Sequence, residues 1–170
     1  SVIFSDEEMQ LSSVKAVDNS YPLIGLLELE NSEGVYSTKR NPKPGTVWMD
    51  ERLQNLLKVK YGDEVYIGDK SFIFTDTINY EPDRASGNFS FAPKTIMNMS
   101  DLESTQIIQP GSRVEYNYLF AGPENEILYI RNFLEEIKES GDEIEMLDED
   151  SSSLGRAVDR SENFFLLGGL

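Results

Sequence analysis

The 170-residue chain contains no cysteine and no histidine. Without cysteine there is no disulfide, no thiolate zinc site and no thiol nucleophile. Without histidine the commonest general base and the commonest transition-metal ligand are gone, so serine–histidine hydrolysis is excluded. Only Ser/Lys or carboxylate chemistry is left. Basic residues are scarce: 15 Lys and Arg face 31 Asp and Glu, a net charge of −16. So acidic a chain repels phosphate backbones, which argues against nucleic acid as a partner. As a whole it also repels anionic lipid headgroups, although a local patch can differ. No apolar run approaches the roughly 18 residues of a membrane-spanning helix.

What is present suffices for a core, with 39% hydrophobic and 11% aromatic residues. Residues 2–4 read as a strand, 10–18 as a second strand, and 23–29 as a further apolar extended run. Residues 31–45 are polar, with Pro42, Pro44, Gly34 and Gly45, and read as a crossing. Residues 46–49 read as a strand. Asp50 is placed to cap a helix over 51–57, with Leu53, Leu56 and Leu57 on one face. Residues 64–67 and 71–78, joined by Gly68-Asp69-Lys70, read as a β-hairpin. Ser100-Asp101-Leu102-Glu103 resembles a capping box opening one helical turn. Alternating Val114, Tyr116, Tyr118 and Phe120 predict a strand over 113–121. Ile127, Ile130, Leu134 and Ile137 predict an amphipathic helix over 124–139, stopped at Gly141. A short strand over 144–147 and a helix over 154–167 complete the pattern. Strand and helix alternating at the end argue for an α+β lobe beside a β-rich module.

Residues 78–99 hold charges of both signs, two phenylalanines and two prolines, too much side chain for a plain linker. Glu81, Asp83, Arg84, Phe89, Phe91 and Pro93 are the candidate residues there. On one reading they form a seam, with Arg84 paired to Glu81 or Asp83 and the phenylalanines filling the core. On another they form a contact surface for lipid, lipoprotein or a protein partner. A carboxylate-pair hydrolase using Glu81 and Asp83 is the weakest, since nothing in a proline-broken loop sets their separation. Asp148, Glu149 and Asp150 lack the spacing of a calcium loop and read as a solvated turn. No catalytic residue, metal site or cofactor site is assigned.

Several stretches are familiar in combination. They are Lys15-Ala16-Val17-Asp18 with Tyr21-Pro22-Leu23-Ile24-Gly25, and Gly45-Thr46-Val47-Trp48-Met49-Asp50 with Leu53. Gly62-Asp63 follows with Ile67-Gly68 and Phe72, then Glu81-Pro82-Asp83-Arg84 with Phe91-Ala92-Pro93-Lys94, Met97 and Asn98. Ile108-Gln109-Pro110-Gly111-Ser112-Arg113, and Arg156, Ala157, Asp159, Arg160 and Phe164, complete the set. In this order they resemble the first large periplasmic domain of the YbbP-like permeases, of the FtsX/MacB/LolE type of ABC transporter permease. Ile24 stands where a basic residue is expected, and Lys94 where arginine is usual.

The resemblance implies a porter-like α+β lobe (1–43 with 100–170) and an inserted small β-rich, sabre-like lobe (44–99). It implies an extracytoplasmic, non-enzymatic domain on the periplasmic face of the inner membrane. Its partners would be a cytoplasmic ABC ATPase, a second periplasmic domain of the same permease, and a periplasmic lipid, lipoprotein or protein. Helix motions driven by ATP would be relayed to it. The abrupt ends then read as cuts from a longer protein, and residues 154–167 as the start of a stalk entering the membrane. The alternative is a stand-alone peptide- or protein-binding module.

Overall fold

In the computed structural model the described residues are 1–82, 92–144 and 146. The chain divides into two compact units, Ser1–Ala121 and Gly122–Leu170. The first mixes many strands with few helices. In chain order these are β1 (Val2–Phe4), β2 (Met9–Leu11), β3 (Ser13–Val17), β4 (Leu27–Asn31), β5 (Gly34–Thr38), β6 (Thr46–Asp50), α1 (Glu51–Leu57), β7 (Glu64–Ile67), β8 (Lys70–Tyr80), β9 (Lys94–Asn98) and α2 (Leu102–Thr105). At the level of class this is α+β.

All nine strands belong to one mixed sheet, ordered β2-β1-β7-β8-β6-β9-β3, with β4 also on β8 and β5 outside β4. The long β8 makes this possible. It pairs with β7 through Lys70–Ile73, with β6 through residues 73–78, and with β4 through residues 77–80. A register shift at Val47/Trp48 bends the β6–β8 ladder, as a bulge does.

Central strands read as continuous apolar runs because both faces are covered. Along β6, Val47 and Met49 enter one core with Ile3, Leu53, Leu57, Phe72 and Phe74. Trp48, between them, enters the opposite core with Val17, Tyr21, Leu27, Leu29 and Ile96. Neighbouring β9 repeats this, with Ile96 on the Trp48 side and Met97 on the other.

The cap and hairpin expectations hold. Asp50 accepts the Leu53 N–H (2.8 Å) and starts α1. β7 and β8 pair antiparallel around Gly68, whose φ is +58°. A Cβ at Gly68 would lie 1.9 Å from the Thr105 carbonyl oxygen, so only glycine lets α2 sit against this turn.

Other expectations are corrected. The second strand is two, β2 and β3, broken at buried Ser12. The apolar run at 23–29 becomes a strand only from Leu27. The crossing at 31–45 contains β5, which forms a hairpin with β4. Asn31 (3.1 Å) and the Tyr36 hydroxyl (2.7 Å) tie this hairpin to Asp76 of β8. Burial, and then that bond to Asp76, hold the Tyr36 hydroxyl above its ordinary pKa. Part of the presumed loop at 78–99 is strand: β8 runs to Tyr80, and Lys94–Asn98 is β9. The cap before α2 is Asn98, which accepts the Ser100 N–H and starts a 3-10 turn over Met99–Asp101.

The largest correction is at 113–121, which forms no strand despite its alternation. Tyr116, Tyr118, Leu119 and Phe120 are exposed there. A strand exists only through a ladder, and no strand among the described residues pairs with this one. In the second unit, α3 spans Glu124–Ile137, two residues short of the predicted end. Ile144 lies in no regular element. The solvated turn at 148–150 and the helix at 154–167 lie outside the described residues.

Candidate functional site

Glu81 follows β8 directly and is 6% exposed. A lone carboxylate in that position is costly, so its partners decide what it is. They come from three other segments. The Lys15 ammonium, on edge strand β3, lies 2.6 Å from Oε1. The Lys94 ammonium, on the first residue of β9, pairs with Oε2. The Tyr21 hydroxyl, in the turn after β3, donates to Oε1. Lys15 also lies 4.2 Å from the Tyr21 ring centroid, a cation–π contact.

The charges are unequally wetted. Glu81's side chain is 4% exposed, against 34% for Lys15 and 30% for Lys94. The lysine stems lie along the protein and their heads reach the carboxylate from the wet side. Burial pushes the Glu81 carboxyl up. Lys15, by charge and hydrogen bond, then Lys94 and Tyr21, outweigh it, and the pKa falls from 4.5 to about 2. Glu81 is thus held ionised, which suits a structural anion and not a proton donor at neutral pH.

The surroundings hold the same four segments. Gly25, at φ +78°, backs onto Pro82: a Cβ there would lie 2.7 Å from the Pro82 Cβ. The Pro93 carbonyl accepts from Ser12 Oγ (2.9 Å) and from the Ser13 N–H (2.9 Å). Ser12 Oγ also meets Thr95 Oγ1 at 2.9 Å. Asp50 uses Oδ1 to cap α1 and Oδ2 to accept the Lys94 N–H (2.7 Å). Glu81-Pro82 and Pro93-Lys94, which together form a neck, are therefore both gripped. A second buried carboxylate, Asp101, works similarly. It takes the Lys70 ammonium (2.6 Å) and the Gly45 N–H (2.8 Å), tying the start of β6 to the turn before α2.

Of the six candidate residues, the structure brings Glu81 and Pro93 to this neck. Asp83, Arg84, Phe89 and Phe91 lie outside the described residues, and so does the pairing expected for Arg84. Lys15, Tyr21 and Ser12 were not singled out from the sequence as site residues. The signal available was a lysine in the middle of an alternating strand and a tyrosine before a proline. Among the described residues, no group of three or more acidic side chains is placed to hold a metal ion.

Over 167 residues, 98% of its length, the chain is 35% identical to the uncharacterized ABC transporter permease YbbP of Escherichia coli (strain K12). It spans only 20% of that protein. The chain is thus related, nearly end to end, to one segment of an ABC transporter permease. No protein-family model and no solved structure matches it.

Proposed function

We propose that the chain is the periplasmic domain of an ABC transporter permease subunit, on the outer face of the inner membrane. In this reading it couples cytoplasmic ATP hydrolysis to the handling or extrusion of a hydrophobic cargo (lipid, lipoprotein or peptide) by mechanotransmission. The observation that carries it is the 35% identity running over almost the whole chain to part of a permease. Two further facts support it. Among the described residues no helix is long and apolar enough to cross a membrane, as suits a segment outside the bilayer. The buried carboxyl of Glu81 is tied up by two ammoniums, which favours a non-enzymatic domain over a carboxylate hydrolase.

The partners are then a cytoplasmic ABC ATPase subunit, a second periplasmic domain of the same permease, and a periplasmic lipid, lipoprotein or protein. In this reading residues 44–99 correspond to the sabre-like insertion, and they share one sheet with residues 1–43 of the porter-like part. The β3–β9 and β4–β8 ladders, with the Glu81 ion pairs, are the joints between them. Motion reaching one segment would pass to the other through these joints.

The test uses the full-length permease and its ATPase in proteoliposomes, with residues 1–170 replaced by a glycine–serine linker. ATP hydrolysis is expected to persist while extrusion of a fluorescent phospholipid and of an acylated peptide stops. Extrusion of both at the wild-type rate overturns the proposal.

A further inference from the structure

Residues 34–49 carry Lys39, Arg40 and Lys43 and no acid, in a chain of net charge −16. All three cations are exposed. Elsewhere in this unit Lys15, Lys58, Lys70, Lys94 and Arg113 each hold a carboxylate, while Lys60 stands exposed without one among the described residues. Lys39, Arg40 and Lys43 hold none among the described residues. Asp18, in the turn next to them, accepts the Ser20 N–H instead (2.8 Å).

The turn that presents them is built. Asn41 Nδ2 donates to the Asp18 carbonyl (2.9 Å) and to Asn19 Oδ1 (3.2 Å). Asn98 Nδ2 donates to the carbonyl of buried Pro42 (2.9 Å). Thr46 returns both its N–H (3.0 Å) and its hydroxyl (2.8 Å) to the Lys43 carbonyl. The Arg40 N–H is taken by Thr38 Oγ1 (3.0 Å). With Pro42 and Pro44 fixing φ, the backbone stays put while three cations project.

We infer that this turn, Lys39, Arg40 and Lys43, is an electrostatic docking surface for anionic phospholipid headgroups. The net charge does not forbid it. At about 0.1 M salt the Debye length is about 10 Å, so a membrane senses the nearest charges, the three cations against the one acid Asp18, and not the remote acids. Residues 38–45 carry no aromatic or aliphatic anchor beyond proline ring atoms. Tight protein interfaces centre on buried anchors, often aromatic, whereas an anionic lipid surface needs only point charges. The presence of a bilayer beside the domain rests on the permease reading above.

The experiment is vesicle flotation of the 170-residue chain at about 0.1 M salt. Vesicles are phosphatidylcholine alone, or equimolar phosphatidylcholine and phosphatidylglycerol. Binding is expected only to the second. The K39Q/R40Q/K43Q variant is expected to bind about a hundredfold more weakly, from about fivefold per cation, with an unchanged melting temperature. The control K60Q/R113Q/R131Q has the same net charge and should keep its binding. Arg40→Gln alone should lose about fivefold.

Equal binding to both vesicle types, an equal loss in the control, or no binding by wild type overturns the inference. So does turn-dependent binding to polyglutamate in place of vesicles, which would make the partner an acidic protein. None of these outcomes touches the extrusion experiment, which tests the permease reading on its own.

Discussion

Glu81 concentrates more structure than any other single side chain among the described residues. Two lysines, a tyrosine hydroxyl and the Pro82–Gly25 contact meet at it, from four segments. Its folded pKa of about 2 lies below the ordinary 4.5. A carboxyl lowered in this way contributes stability that is fully present above 4.5 and is lost as pH falls toward 2. The shift corresponds to about 3 kcal/mol. Urea unfolding of Glu81→Gln at pH 7 is expected to show a loss of about that size. Between pH 4.5 and 2 the variant's stability should fall less steeply than wild type's. A variant that tracks the wild-type pH profile would show that other carboxylates account for the acid sensitivity. At this scale the sequence was partly legible. Glu81 and Pro93 stood out as charge and proline in an odd place, but nothing in the residue order pairs Glu81 with Lys15, 66 positions away.

At the scale of elements, local chemistry was readable and partners were not. Asp50 before Leu53, and the Gly68-Asp69 turn, declare themselves because caps and tight turns are made by residues three or four apart. Gly68 shows how a local feature acquires a distant role. Its turn also packs on the end of α2, with the Asp69 N–H donating to the Thr105 carbonyl at 2.9 Å. Gly68→Ala is expected to cost more than about 3 kcal/mol, since backbone must move as well as adopt a left-handed φ. The loss should appear in thermal unfolding, with hydrogen exchange accelerated at Asp69. A shift of under a degree would mean α2 is free to give way. The misread strand at 113–121 shows the converse. Alternation makes a segment fit for a sheet, but a ladder needs a neighbour at about 4.8 Å, and none of the described strands supplies one.

At the scale of the whole molecule, one sheet joins strands from before residue 44 to strands from 44–99. β3 lies parallel to β9, β1 lies antiparallel to β7, and β4 pairs with β8. A domain placed outside the inner membrane should be reachable from the periplasm. Lys60 is exposed and well clear of the neck residues in sequence. In a full-length permease stripped of other cysteines, Lys60→Cys is expected to react with a membrane-impermeant maleimide in cells whose inner membrane is intact. Labelling only after that membrane is broken would move the domain to the cytoplasm and end the periplasmic reading.

By itself the sequence determined the chemistry the chain does without, its acidic charge, α1 and its cap, the β7–β8 hairpin, α3, and the likeness to a permease segment. These depend on composition or on residues within a few positions of one another. Only the tertiary structure decided that β9 is a strand, that 113–121 is not, and that Lys15, Tyr21, Glu81 and Lys94 share one buried site. Each of those outcomes is set by which distant segments exclude water together, and a carboxylate can stay charged in a dry place only where the fold brings cations to it.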